Sequence, residues 1–171
     1  LPGEIDEHTL AAGRMVFDQA PRPGAEVAIS LDVAASEFGH GGRYRLGLEG
    51  RELDTGGMID LLSGWLDRYP IVSVEDPLAE DDAAGLAEFT RRCGERVQVV
   101  GDDVLVTSAD RVRLAAARGM CNAVLVKVNQ AGTVTEARAA LEAARAVGWG
   151  AIVSARSGET EDVAIAHLAV G

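Results

Sequence analysis

The run AVLVKVNQAG, residues 123–132, decides how the chain is interpreted. Its first six residues are apolar and rich in valine, except for Lys127. An apolar run of this length, bounded by turn signals, is typical of a strand whose two faces are both covered. Lysine is among the side chains least often buried, because removing water from an ammonium costs several kcal/mol. A lysine in such a run therefore indicates a compensating group nearby, and the other predicted strands offer candidates.

Four similar runs predict four further strands. They are EVAISLDV (26–33), PIVSVED (70–76), RVQVVGDD (96–103) and WGAIVSA (149–155), beside the strand at 122–128. Apolar residues at helical spacing predict helices between them, at 6–20, 55–69, 79–94, 108–119 and 131–148. This alternation predicts parallel strands joined by right-handed crossovers, in either a (β/α)8 barrel or an open doubly wound sheet. A glycine-rich insertion at 39–57 is expected to hold one short strand near Tyr44 to Leu48.

Length and composition limit the class of protein. The 171 residues suit one domain, and the 47% hydrophobic and 25% charged residues indicate a globular chain. A net charge of -11 argues against general binding to nucleic acids or anionic membranes, and no apolar run is long enough to span a membrane. Cys93 and Cys121 are expected to be reduced, in a cytoplasmic protein. The leucine at position 1 and the uncapped final helix suggest a piece of a longer chain.

Charged residues recur at or just after the C-terminal end of each predicted strand. They are Asp32, Glu75, Asp102, Lys127 and Arg156, with 27 residues from Glu75 to Asp102 and 25 from Asp102 to Lys127. Each alone has an ordinary explanation, since an aspartate caps turns, a lysine reaches solvent and an arginine pairs with a nearby glutamate. Five at the same relative position favour a site, because parallel strand ends meet at one face of the sheet.

The residue types in this group indicate a chemistry. Three carboxylates without cysteine suit Mg²⁺ rather than zinc, and Lys127 beside that cation would be a general base. Arg156 and Ser157, at a glycine-flanked turn, can hold a phosphate or carboxylate. Together these parts suit removal of a proton alpha to a carboxylate, with the metal stabilising the developing charge.

At these residues the sequence resembles the enolase family. The segments that carry the resemblance are LDVAASEF (31–38), RYPIVSVEDPLAEDD (68–82), VVGDDVLVTS (99–108), LVKVNQAGTVTEA (125–137), GWGAIVSARSGETED (148–162) and the closing IAHLAVG. They follow the order of the family's barrel domain from about Pro23 to Gly171. The resemblance implies an α/β, TIM-type (β/α) barrel of the enolase kind, present as an incomplete segment of about five βα units. Residues 1–171 would be a single partial barrel domain, with the N-terminal capping domain and the last barrel strands outside this chain.

The resemblance also implies site roles and a reaction. Asp32, Glu75 and Asp102 would bind Mg²⁺, and Lys127 would remove the C2 proton of 2-phosphoglycerate. The substrate phosphate would be held by Arg156 and Ser157, and Asp103 would support the ligands from behind. The parent protein would be a cytoplasmic, homodimeric lyase of glycolysis that forms phosphoenolpyruvate, a small phosphorylated acid being its only predicted ligand besides the metal.

One position departs from the family pattern. Ala155 stands where the family usually has histidine, and further active-site groups of the family lie outside this chain, so the isolated segment is predicted to be inactive. Ala155 keeps open an enolase-like paralogue of the carboxyphosphonoenolpyruvate synthase type, which acts on another phosphorylated enol acid. A non-catalytic fragment is a third reading, although the charged group is complete. Nucleotide binding is disfavoured, because no G-x-G-x-x-G follows the first strand.

Overall fold

The computed structural model describes residues 27–156 and 160–170. This part of the chain contains eight strands and six α-helices. The strands are β1 (Ile29–Asp32), β2 (Gly39–His40), β3 (Arg43–Leu46), β4 (Arg51–Asp54), β5 (Ile71–Glu75), β6 (Gln98–Gly101), β7 (Ala123–Val126) and β8 (Gly150–Val153). The helices are α1 (Thr55–Arg68), α2 (Ala83–Cys93), α3 (Ala109–Arg118), α4 (Val128–Ala131), α5 (Val134–Ala146) and α6 (Ala164–Val170), with a 3-10 turn at Ala35–Glu37. The predicted helix at 6–20 lies outside the described residues.

Five of the strands form one parallel sheet in the order β1-β5-β6-β7-β8. Helices connect consecutive strands of this sheet, as the sequence of apolar runs and helical patterns predicted. Every predicted strand is present, shortened at both ends to four or five residues. The register pairs Asp32 with Glu75, and Glu75 with Val100, so successive strands end at the same level of the sheet.

Both faces of this sheet carry apolar clusters. Side chains of one alternation, such as Val99 and Val124, pack against the helices in the main core. Those of the other alternation form a second cluster of Val100, Ala123 and Leu125, with Ile152 packed against it. A sheet covered by helices on one face and apolar on its other face is the arrangement of a barrel wall.

Side-chain caps and glycines set the ends of the helices. Asp54 begins α1 by accepting the N–H of Gly57 at 2.8 Å, and Ser108 and Thr133 cap α3 and α5 in the same way. Helix α3 ends at Gly119, whose φ of 67° is the left-handed conformation that glycine tolerates best. The predicted helix 131–148 is present as α5, and the separate short helix α4 ends at Ala131 just before it. Gly132, whose φ is 100°, lies between the two helices.

The insertion holds more structure than its sequence predicted. Strands β2, β3 and β4 form an antiparallel three-stranded sheet, of which the sequence indicated only one strand near 44–48. Tyr44 of β3 is fully buried and anchors this small sheet to the barrel wall. Cys93 and Cys121 are buried free thiols, as predicted. Among the described residues, no helix has the length and apolar character needed to cross a membrane.

Candidate metal and substrate site

The predicted site residues of four neighbouring strands reach one end of the parallel sheet. Asp32 and Glu75 are the last residues of β1 and β5, whereas Asp102 and Lys127 directly follow β6 and β7. The sheet register continues past the strand ends, with the Val33 N–H donating to the Glu75 carbonyl at 3.0 Å. These hydrogen bonds hold the strand ends, and therefore the side chains they carry, at one level.

Three carboxylates form a compact acidic group there. Oxygens of Glu75, Asp76 and Asp102 all lie within 4.8 Å of one another. Asp32 lies beside this group, since it pairs with Glu75 in the sheet and its charge raises the pKa of Glu75. One Asp32 oxygen accepts the Ala34 N–H at 3.1 Å, which leaves its other oxygen available. An all-oxygen set with several negative charges is the kind of donor set that fits Mg²⁺.

Asp76 is a support for this group that the sequence analysis gave no role. Its two carboxylate oxygens accept the N–H groups of Asp102 and Asp103, at 2.9 and 3.0 Å. Asp76 is only 4% exposed and has a φ of 42°, a left-handed conformation that aspartate tolerates better than most residues. These two hydrogen bonds join the end of β5 to the end of β6 and fix the position of the Asp102 backbone. Its only sequence signal is its place directly after Glu75, which does not distinguish a support from a ligand.

Burial and mutual repulsion make these carboxyl groups less acidic than usual. The pKa of Glu75 is raised to about 8, first by burial and then by the charges of Asp32 and Asp76. Burial likewise raises the pKa of Asp76 to about 7, against the lowering effect of the two N–H groups it accepts. For Asp32, burial is the main cause of a raised pKa. A divalent cation bound among these oxygens would relieve the repulsion between the carboxylates.

An acidic partner explains why Lys127 stands in an apolar run. Its ammonium forms an ion pair with the Asp102 carboxylate, and the two side chains are 13% and 12% exposed. A cation this deeply placed is tolerated because a charged partner compensates for the water it loses. The four residues before Lys127 are buried, so the lysine stands where the covered strand ends and the acidic group begins.

Lys127 is also the single lysine among the 171 residues, whereas the other fifteen of the sixteen lysine and arginine side chains are arginines. The difference matters chemically. A guanidinium stays protonated in proteins and cannot accept a proton, whereas an amine can lose its proton in the right surroundings. The chain therefore has arginine at its other basic positions and lysine at the sheet end where a base is predicted.

The remaining predicted residues lie around this centre. Asp103 is half-buried, and burial followed by the charge of Asp102 raises its pKa. Its N–H, rather than its carboxylate, makes the contact with Asp76. Arg156 is exposed and follows β8 by three residues, next to the half-buried Ala155. Ser157, the predicted partner of Arg156, lies outside the described residues.

A family model described as the enolase C-terminal TIM barrel domain matches residues 8–171, nearly the whole chain. Asp32, Glu75, Asp102, Lys127 and Arg156 all fall within the matched range. The fold is therefore part of a TIM-type α/β barrel, and the chain belongs to the family of enolase C-terminal TIM barrel domains.

Proposed function

We propose that the protein containing this chain dehydrates 2-phosphoglycerate to phosphoenolpyruvate with the help of Mg²⁺. The observation that carries the proposal is the pairing of Lys127 with Asp102 at the sheet end where Glu75 and Asp32 also lie. A base beside carboxylates suited to a divalent cation is the combination needed to remove a proton alpha to a carboxylate. Family membership supports enolase-type chemistry, and this arrangement supports the specific reaction.

We assign metal binding to Asp32, Glu75 and Asp102. Asp76 is left out of this assignment, because its carboxylate already joins the end of β5 to the backbone N–H groups of Asp102 and Asp103. When bound, Mg²⁺ would supply positive charge for the substrate carboxylate as negative charge develops on it. The raised pKa values of Glu75 and Asp76 support this assignment, since the acidic group gains from a cation among its oxygens.

Lys127 is the proposed general base. The neutral amine takes the C2 proton, and the electron pair left at C2 moves toward the substrate carboxylate. That pair then returns to form the C2–C3 double bond as the C3–O bond breaks and hydroxide departs.

Arg156 and Ser157 are proposed to hold the substrate phosphate. The position of Arg156, exposed just beyond β8, supports this role, because a guanidinium there can form two parallel hydrogen bonds to an anion. Ala155 favours one alternative, a paralogue that acts on another phosphorylated enol acid, because a methyl group in place of an imidazole changes both the space and the proton donors beside the substrate. The complete set of charged residues argues against a non-catalytic fragment.

The test is Lys127→Arg in the complete protein. Arginine preserves the positive charge beside Asp102 but cannot act as a base, so we expect phosphoenolpyruvate formation and solvent exchange of the C2 proton to fall about 10²- to 10⁴-fold. Mg²⁺ binding, measured by calorimetry, should be retained. Arg113→Lys is the matched control, because that side chain pairs with the exposed Asp110 on the surface of α3.

Three outcomes are decisive. Retained C2 exchange in Lys127→Arg would remove Lys127 as the base. Absence of Mg²⁺ binding in the unmodified protein would overturn the proposed function. Mg²⁺ binding without turnover of 2-phosphoglycerate, combined with turnover of a different phosphorylated enol acid, would establish the paralogue instead.

A further inference from the structure

The turn after β6 is conformationally costly, and it sits beside the candidate site. Val106 and Thr107 both have left-handed backbones, with φ of 43° and 52°, which β-branched residues rarely adopt. The N–H groups of Leu105 and Val106 both donate to the Asp102 carbonyl, at 3.0 and 2.7 Å, so the chain turns back sharply on Asp102. Such strain persists only where the surrounding structure holds it, and it clusters at functional sites.

The result of this turn is that the Thr107 hydroxyl faces the end of β7. Thr107 is 2% exposed, and its hydroxyl accepts the backbone N–H of Lys127 at 3.0 Å. The same hydroxyl donates to the Gln130 side-chain oxygen at 2.7 Å, which is a nearer acceptor than the Leu125 carbonyl at 3.4 Å. Because its oxygen already accepts a hydrogen bond from Lys127, the hydroxyl is directed to donate toward Gln130.

Gln130 links the Thr107 hydroxyl to the Asp102 carboxylate. It lies in α4, three residues after Lys127, so the two side chains share one face of the helical turn. Its oxygen is occupied by Thr107, and its amide nitrogen therefore faces Asp102, donating to Oδ1 at 3.2 Å. The Lys127 ammonium contacts the other oxygen, Oδ2. The four residues thus form a closed ring in which each hydrogen bond has one direction.

We infer that Thr107 and Gln130 are positioning residues that fix the Asp102 carboxylate relative to Lys127. This inference rests on the proposed function. Neither residue is asked to touch substrate or metal. Gln130 holds Oδ1, Lys127 approaches Oδ2, and Thr107 aligns both the backbone of the base and the amide of Gln130. A carboxylate held at both oxygens keeps one rotamer, so the geometry offered to a cation is set before the cation arrives.

A role limited to packing predicts something different. Gln130→Met and Thr107→Val keep nearly the same side-chain volume and remove only the hydrogen bonds. If these residues merely fill space, both variants should bind Mg²⁺ as the unmodified protein does. If they position Asp102, both should weaken Mg²⁺ binding about 10- to 100-fold, which is the usual effect of removing a partner behind a metal ligand.

The experiment measures Mg²⁺ alone binding to the complete protein by calorimetry, for each variant and for the double variant. Because the ring acts as a unit, we expect the double variant to lose little more affinity than either single one. Thr107→Ser preserves the hydroxyl and should restore binding. Thr133→Val, at the exposed cap of α5, is the control for loss of a threonine hydroxyl that makes no hydrogen bond to Lys127, Gln130 or Asp102. Circular dichroism verifies that each variant folds.

Turnover of 2-phosphoglycerate at saturating Mg²⁺ gives a second readout. We expect kcat to fall in Thr107→Val and Gln130→Met while KM stays nearly constant, because neither residue contacts substrate. Mg²⁺ affinity within about twofold of the unmodified protein in both folded variants would refute the inference while leaving the proposed function intact. If Asp102→Asn binds Mg²⁺ as tightly as the unmodified protein does, the proposed metal site is refuted instead.

Discussion

Replacing Tyr44 by phenylalanine tests how the insertion is attached to the barrel wall. The buried Tyr44 hydroxyl donates to Asp82 Oδ2 at 2.8 Å and accepts the Ala79 N–H at 3.2 Å. Asp82 also accepts the Thr55 hydroxyl at 2.6 Å and, as the cap of α2, the Gly85 N–H at 2.9 Å. One carboxylate therefore joins β3 to the starts of α1 and α2, and Tyr44 is the buried part of that junction.

The expected cost follows from what phenylalanine leaves behind. The ring still fills its place in the core, so the loss is confined to hydrogen bonds. Ala79 is 1% exposed, and leaving its N–H without an acceptor costs about 1–3 kcal/mol. Asp82 retains its bonds to Thr55 and Gly85 and can recover part of the lost contact from water. We expect a loss of about 2 kcal/mol in the free energy of unfolding, or roughly 4–8 °C in Tm for a domain of this size.

The assay is urea unfolding of the complete protein, followed by circular dichroism and repeated as a thermal scan. Tyr69→Phe is the matched control, because among the described residues the Tyr69 hydroxyl has no hydrogen-bond partner and its ring is half-buried. We expect that control to change stability by less than about 0.5 kcal/mol. A Tyr44→Phe variant as stable as Tyr69→Phe would refute the junction as a source of stability.

Two further predictions concern the acidic group and its surroundings. Because the raised pKa values of Glu75 and Asp76, about 8 and about 7, exceed those of the unfolded chain, the metal-free folded protein binds protons that the unfolded chain has already lost. The free energy of unfolding in chelator should therefore fall as pH rises from about 5 to 8, by up to about 1.4 kcal/mol per pH unit for each group. Urea titrations at several pH values measure this slope, and Glu75→Gln should make it less steep. A slope of the opposite sign would contradict the assignment. Gly101→Ala should cost about 1–3 kcal/mol and weaken Mg²⁺ binding, since its methyl group would lie 2.7 Å from a Leu105 carbon and 3.0 Å from the Cys121 sulfur; unchanged calorimetry and thermal unfolding would show that the neighbours can move aside.

Local patterns account for the sheet and for the ends of its strands. Apolar runs about seven residues long, separated by helical periodicity, admit few arrangements other than parallel strands with helical crossovers, and the structure contains all five predicted strands. The sequence could not choose between a barrel and an open sheet, because both use the same local units. It also indicated one strand of the insertion rather than three, since Gly39–His40 and Arg51–Asp54 are short and mostly polar, and their pairing with β3 gives no apolar periodicity.

The amino-acid sequence by itself determined which chemical groups stand at the strand ends, because the length of each βα unit brings the next charged residue to the same level. Only the tertiary structure decided how these groups are supported. Asp76 holds the N–H of Asp102 from a neighbouring strand, and the Thr107 hydroxyl meets Lys127 and Gln130 across a left-handed turn. Such contacts join residues about 20 or more positions apart, and their geometry depends on strand register and side-chain direction, which no local pattern encodes.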